Sequence, residues 1–280
     1  MLSNAHVLHR IPQHNTSILM IGGGGQAPES HTIDLFNRFI KAAGGVDALI
    51  IVLTIATSSP ERQRKNTCGL LEQLGATRLA APLIRTRDEA NDPANAALIR
   101  EARGIYLTGG DQSRYPAILN DTACGDALRN ALHTNAVCIG GTSAGAHVMG
   151  HVMIAGSYDW IMQKRGQVIL RDGLGLLSDG IVTDSHFSQR RRLPRLLSAL
   201  QAFPHLLGIG LDEDTGLLVN ADGVGEVIGA GLVYFFNYNV THNGGRVEQW
   251  GLGEGSTFDL IRRTPSDDRQ TVVFATHSRP

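Results

Sequence analysis

Short, wholly apolar runs punctuate the first half of the chain, and stretches with apolar residues at helical spacing lie between them. Ser17 to Ile21 and Ala48 to Thr54 are runs of the first kind. A strand covered on both faces needs apolar side chains at nearly every position rather than every second one, so these runs predict buried strands of a parallel sheet. Pro28 to Ala43 is a stretch of the second kind, with Ile33, Leu35, Phe36, Phe39 and Ile40 along one helical face. Ser58-Ser59-Pro60-Glu61 opens another helix: a serine cap, a proline in the first turn and a carboxylate near the positive end of the dipole. That helix is expected to end near Gly75. Arg78 to Leu83 reads as a weaker strand, Asp92 to about Ala102 as a helix and Gly104 to Thr108 as a strand. Ser113 to Leu119 and Gly125 to Thr134 read as helices, and Val137-Cys138-Ile139 as one more short strand. Strands alternating with helices in this way predict an α/β fold, a doubly wound and mostly parallel sheet flanked by helices.

The second half changes character. Ile181 to Ser185 reads as a strand and Arg190 to Phe203 as a helix. Gly208 to Leu211 and Thr215 to Val219 are strands around Asp212-Glu213-Asp214. Val224 to Ile228, Leu232 to Phe236 and Arg246 to Trp250 predict a C-terminal β meander with glycine turns, and Thr257 to Phe274 holds one or two further strands. With 280 residues and no repeat or linker, the expectation is a single domain over 1–280, with 1–16 a loose lead-in.

Charge narrows the partners. Twenty-five basic against twenty-six acidic residues give a net charge of −1, which asks for neither nucleic acid nor an anionic membrane. Cys68, Cys124 and Cys138 are widely spaced and form no CxxC, which suits a reducing cytoplasm. No apolar run approaches the ~18 residues of a membrane span. The apolar strands of the meander make a homodimer the expected assembly.

Glycine-rich turns follow several predicted strands. Gly22 to Gly25 lacks both G-x-G-x-x-G and G-K-[ST], so it reads as a close-packed turn at the mouth of a site rather than a phosphate cradle. Gly141-Thr-Ser143-Ala-Gly145 fits G-x-S-x-G, the elbow that lifts a serine hydroxyl off the end of a strand and into a helix. In that geometry the Ala144 N–H points at a developing oxyanion. A buried helix-capping serine would give the same pentapeptide, so the partners decide. A serine hydroxyl needs a base, and the base needs an orienting acceptor. Of the eleven histidines, His186 is the best candidate, because it ends a strand beside Asp184 and precedes a basic segment. His147 and His151 read as surface or core histidines of the helix after the elbow. Any of Asp212, Glu213 and Asp214 could orient the base, or all three could form a solvated acidic turn. Arg190, Arg191, Arg192 and Arg195 form the strongest charge cluster. If helical, Arg192 and Arg195 share a face, and their guanidinium forks suit substrate carboxylates.

Gly109-Gly110-Asp111-Gln112, the elbow, Asp184-Ser185-His186-Phe187 with its arginines, and Gly210-Leu-Asp-Glu-Asp-Thr215 occur in that order. Together they resemble the cyanophycinases and their relatives among the serine peptidases, a group that includes aspartyl dipeptidases. The resemblance implies a class I glutamine-amidotransferase-like fold with serine in place of cysteine. It implies Ser143 as nucleophile, His186 as base and Glu213 as the orienting acid. Gly110 or Asp111 would supply the second oxyanion amide beside Ala144. Gln112, Asp184, Ser185, Arg190, Arg192 and Arg195 would form the substrate-binding set. No metal or organic cofactor is implied. There are departures: Ser185 stands where the family often carries glutamine, and Arg191 and Pro194 replace customary glycines. The expected function is a serine exopeptidase that cleaves cyanophycin to β-Asp-Arg. Its rivals are a dipeptidase for small Asp-X or isoaspartyl peptides, and a non-catalytic binding module on the same fold.

Overall fold

The computed structural model describes residues 16–24, 31–134, 136–154, 168–177, 180–241, 244–266 and 276–277. The expected lead-in, the loop after Gly24 and most of the tail beyond 266 lie outside the described residues.

The first half alternates as its pattern predicts. In order come β1 (Ser17–Ile21), α1 (Thr32–Ala42), β2 (Leu49–Leu53), α2 (Pro60–Gln73), β3 (Arg78–Ala80), α3 (Arg87–Ala90) and α4 (Pro93–Glu101). Then follow β4 (Gly104–Leu107), α5 (Arg114–Leu119), α6 (Ala123–Thr134), β5 (Cys138–Thr142) and α7 (Ala144–His147). Local chemistry sets several ends. The Asp92 side chain accepts the Ala94 N–H at 2.8 Å and Pro93 opens α4. Thr86 and Glu89 form a capping box on α3, a helix with no visible hydrophobic period.

The second half contributes β6 (Val152–Ile154), β7 (Leu170–Asp172), β8 (Ile181–Ser185), α8 (Leu193–Ala202), β9 (Leu207–Leu211) and β10 (Thr215–Asn220). It ends with β11 (Val224–Gly229), β12 (Val233–Thr241), β13 (Gly244–Leu252), β14 (Thr257–Asp259), β15 (Thr264–Pro265) and β16 (Thr276–His277). The main sheet has the order β15-β14-β11-β10-β1-β5-β4-β2-β3. Its β1, β5, β4, β2 and β3 run parallel, and β10, β11, β14 and β15 extend it antiparallel. A second sheet has the order β16-β13-β12-β9-β8. The expected meander is therefore divided: Val224–Gly229 belongs to the main sheet, and Val233–Thr241 pairs with β9 and β13 in the second. Alternation along one strand shows that a face is buried but not which neighbour the edge finds.

The chain crosses from the second sheet to the main one between β9 and β10, through Asp212-Glu213-Asp214. Apolar residues on one face of the main sheet join the inner face of the second, among them Leu53, Ile105, Ile139, Ile209, Leu217, Phe235 and Phe258. On the other face, α1 and α2 cover Leu19, Ile50, Val52 and Tyr106. The carboxyl ends of β1 and β5 thus meet the seam between the sheets, where ligand sites of α/β folds form.

Candidate active site

Ser143 follows β5 with φ 52° and ψ −111°, a conformation costly for any residue with a Cβ. The turn is fixed from both sides. The Ser143 N–H donates to Ile21 O at 3.0 Å, and Ser143 O accepts from the N–H groups of Ala146 and His147. Its Oγ lies 2.9 Å from His186 Nε2, and His186 Nδ1 lies 2.6 Å from Glu213 Oε1. His186 also has a left-handed backbone, φ 48°, held by its N–H to Gly22 O at 2.7 Å and by its O accepting from Arg190 N–H. Strained non-glycine residues cluster where the surrounding structure over-determines them, as here. Burial lowers the His186 pKa below the ordinary imidazole value, against the opposing pull of Glu213. The ring is therefore neutral near pH 7 and able to accept a proton.

Each of the three adjacent acids has a separate partner. Asp212 accepts from both the N–H and the Oγ–H of Ser188, at 3.0 and 2.6 Å, and so pins the turn after His186. Glu213 takes the imidazole. Asp214 accepts from Thr32 Oγ1 at 2.6 Å, and its N–H donates to Gly23 O. The glycines after β1 are needed for this closeness. A Cβ on Gly23, whose φ is +99°, would lie 2.2 Å from His186 Cε1.

The oxyanion donors are only partly as expected. Ala144 opens α7, and its N–H has no acceptor among the described residues; the same holds for Gly110. The Asp111 N–H instead donates to Ala56 O at 2.8 Å, so it is not available to an oxyanion. Of the two alternatives, Gly110 is the one left open.

The presumed substrate-binding residues divide into exposed and sealed groups. Arg190 is exposed beside His186, whose pKa it helps to lower. Arg192 retains 12% side-chain exposure; its guanidinium donates to Asp184 Oδ1 at 3.1 Å and to Ser185 O at 2.7 Å. Asp184 and Ser185 are wholly buried and Arg195 nearly so. Arg195 forms a fork on Asp184, with Nε 2.6 Å from Oδ2 and a second bond to Oδ1. These guanidinium bonds hold the Asp184 carboxyl far below its usual range despite its burial. Asp184, Ser185 and Arg195, expected to touch substrate, are here buried, with Arg195 and Asp184 bonded to each other. Gln112 is also buried, its amide donating to Ile154 O at 3.2 Å.

The arginines do not share a helical face either. The helix begins at Leu193, because Arg191 adopts φ 51° and breaks the spiral. A glycine would suit that position, and Pro194 suits the first turn of α8. His147, given no role in the sequence, packs at 3% exposure between elbow and β8, and its Nε2 accepts the Ser185 N–H at 2.7 Å. Burial lowers its pKa to about 4, so it is neutral. Thr183 Oγ1 donates to Ala146 O at 2.9 Å alongside. These two bonds tie the serine's helix to the histidine's strand, a tertiary relation that no local motif announces. His151 lies beyond the short α7 and is exposed.

Residues 18–227 match the model of peptidase family S51. A cyanophycinase of Geminocystis herdmanii is 37% identical over 218 residues, covering 78% of this chain and 79% of its own. One from Trichormus variabilis is 36% identical over 225 residues, covering 80% and 74%. Among solved structures, a peptidase from an acI-B1 Actinobacterium superposes with a TM-score of 0.70 at 19% identity. It covers 88% of this chain and 97% of its own. A putative peptidase E from Listeria monocytogenes reaches a TM-score of 0.52 at 15% identity, over 77% of this chain and 98% of its own. Those two likenesses concern the fold, which is the class I glutamine-amidotransferase-like α/β architecture.

Proposed function

The chain belongs to peptidase family S51 and is a serine-type peptidase, and on that premise we propose that it is an exopeptidase releasing β-Asp-Arg from cyanophycin. The observation that carries the mechanism is the relay of hydrogen bonds from Ser143 through His186 to Glu213, 2.9 and 2.6 Å long. Ser143 Oγ attacks the carbonyl carbon of an aspartyl backbone amide while its proton passes to His186 Nε2. Glu213 holds the proton on Nδ1 and so keeps Nε2 free as the base. The N–H groups of Ala144 and Gly110 receive the charge that develops on the carbonyl oxygen. The C–N bond breaks as His186 returns the proton to the departing nitrogen, leaving an ester on Ser143. A water then gives one proton to His186 and its oxygen to the acyl carbon, and Ser143 departs with that proton.

The polymer is supported by the two cyanophycinase relatives and by Arg190 and Arg192, cations beside His186 suited to aspartyl carboxylates. Incubation with insoluble cyanophycin, with β-Asp-Arg followed by mass spectrometry, tests this directly. Ser143→Ala should abolish release, by up to about a million-fold if the residue acts as in subtilisin-type units. Substantial residual release by the purified variant would remove Ser143 from the role.

A dipeptidase for small Asp-X or isoaspartyl peptides is the second reading. It is favoured by the sealing of Asp184 and Arg195, which leaves fewer charged groups for a long polyelectrolyte. Comparing kcat/KM on polymer and dipeptide separates the two. We assign the protein to the cytoplasm, where its free cysteines would stay reduced, and to a homodimer, which light scattering would test.

A further inference from the structure

β8 and β9 pair in parallel as far as Ser185 opposite Leu211. His186 comes directly after the end of that ladder on one strand, and Glu213 follows Leu211 by two residues on the other. The base and its acid therefore stand where main-chain pairing has stopped, and the polar groups of both segments need other partners. Three contacts supply them in step. The Phe187 N–H donates to Leu211 O at 3.0 Å. Asp212 Oδ1 accepts the N–H and the Oγ–H of Ser188, at 3.0 and 2.6 Å. Gln189 Oε1 accepts the Glu213 N–H at 3.1 Å. Each step advances one residue on both segments, and side chains carry the last two.

The last step acts on a member of the triad. The Glu213 side chain retains 36% exposure, so packing alone does not aim its carboxylate. Its peptide is held from both sides instead: Glu213 O accepts from Thr215 Oγ1 at 3.0 Å, and the Glu213 N–H goes to Gln189. Only the amide oxygen of Gln189 can accept that N–H, which settles which end of the amide faces Glu213. Gln189 is itself exposed, and holding an exposed glutamine in one rotamer costs conformational entropy. A cost borne by a surface side chain with no packing to gain points to the group that it holds.

We infer that Gln189 is a positioning residue of the triad: by accepting the Glu213 N–H it fixes the turn that aims the Glu213 carboxylate at His186 Nδ1. This role rests on the hydrolase reading and is independent of which aspartyl substrate is cleaved. It has an electrostatic signature at His186. Glu213 favours the imidazolium there, and Arg190 and Arg192 oppose it together with burial. The neighbouring Asp212 and Asp214 are turned to Ser188 and Thr32. Loosening Glu213 weakens the one favourable charge, so the ring gives up its proton at lower pH. A carboxylate in place of the Gln189 amide keeps an acceptor and adds a negative charge, so it moves the ring the opposite way.

The test is the rate at which a fluorophosphonate labels Ser143 of the full chain, followed from acid to neutral pH, since that reaction needs the nucleophile and its base but no particular substrate. Gln189→Met should slow labelling roughly tenfold to a hundredfold, the scale of a small misplacement of a reacting group. Its acid limb should move to lower pH, and its melting temperature should stay near that of the wild type, because the position is exposed. Gln189→Glu should restore most of the rate and move the limb to higher pH. In a Glu213→Gln background, Gln189→Met should slow labelling little further, because the two changes act through one group. A wild type that is not labelled at Ser143 would remove the hydrolase reading and this role with it. If the wild type is labelled, the role of Gln189 alone is overturned by any of four results. These are a Met variant that reacts like the wild type, a slower Met variant whose limb has not moved, a Glu variant no faster than the Met variant, and a Met effect that persists in full beside Glu213→Gln.

Discussion

Replacing Arg195 by methionine separates a buried support from a substrate reader. Arg195 is 8% exposed and forks onto Asp184, which is fully buried. Methionine keeps most of the bulk and removes every donor. Asp184 Oδ2 then loses its guanidinium partner, and Oδ1 keeps only Arg192. Breaking a buried ion pair from one side typically costs about 3–5 kcal/mol, because the remaining charge is left unpaired. At roughly 2–4 °C per kcal/mol for chains near this size, the melting temperature should fall by about 6–20 °C. The pH dependence has a definite sign. The Asp184 carboxyl is depressed in the folded state, so its contribution is complete above the ordinary carboxylate pKa and is lost as pH falls through the folded value. The melting deficit of the variant should be full at pH 7 and shrink in strong acid. Calorimetry across that range, with kcat/KM on acidic and neutral substrates, is the assay. A variant that melts like the wild type but loses affinity only for acidic substrates would show that Arg195 faces the ligand, and would refute its role as a buried support.

Three further outcomes follow from the site geometry. Glu213→Gln should lower kcat by about 10⁴-fold, and more than Asp212→Asn or Asp214→Asn. Because Glu213 raises the His186 pKa against burial, the acid limb of the rate profile, already below the ordinary imidazole value, should move to still lower pH; a limb moving upward would contradict the assignment. Gly23→Ala should displace the His186 ring and reduce phosphonate labelling of Ser143 at least about tenfold; wild-type labelling would mean the loop yields freely. Arg191→Gly should relieve the left-handed backbone at φ 51° and raise the melting temperature by roughly 2–4 °C; unchanged or lower stability would show that the Arg191 side chain makes a compensating contact.

Much of this was legible because burial leaves a local trace. Leu49–Leu53 is apolar throughout because α2 covers one face and α4 packs on the other, and the turn chemistry around Ser143 survives in five residues. His186 stood out as a strand-ending histidine, but the motif resemblance was needed to separate Glu213 from its neighbours. What could not be read was which charges face each other. Asp184 and Arg195 look alike on paper whether they meet water or one another, and only the packing of α8 on β8 and β9 decides. The amide of Asp111 was lost to Ala56, a partner 55 positions earlier by number, for the same reason. Arg191 hid the start of α8 because a left-handed arginine carries no sequence signal, unlike glycine. The split of β11 and β12 between two sheets was hidden because strand patterns do not name their partners.

The seam between the sheets also sets an order in time. Ser143 leaves the ribosome with the parallel half of the main sheet, whereas His186 and Glu213 follow β8 and β9 of the second sheet. Until β9 has been made and β10 has paired with β1, Ser143 has neither His186 nor Glu213 in place beside it. The three side chains are therefore brought together at the β9–β10 crossing, before β12 and β13 complete the second sheet and β14 and β15 extend the main one.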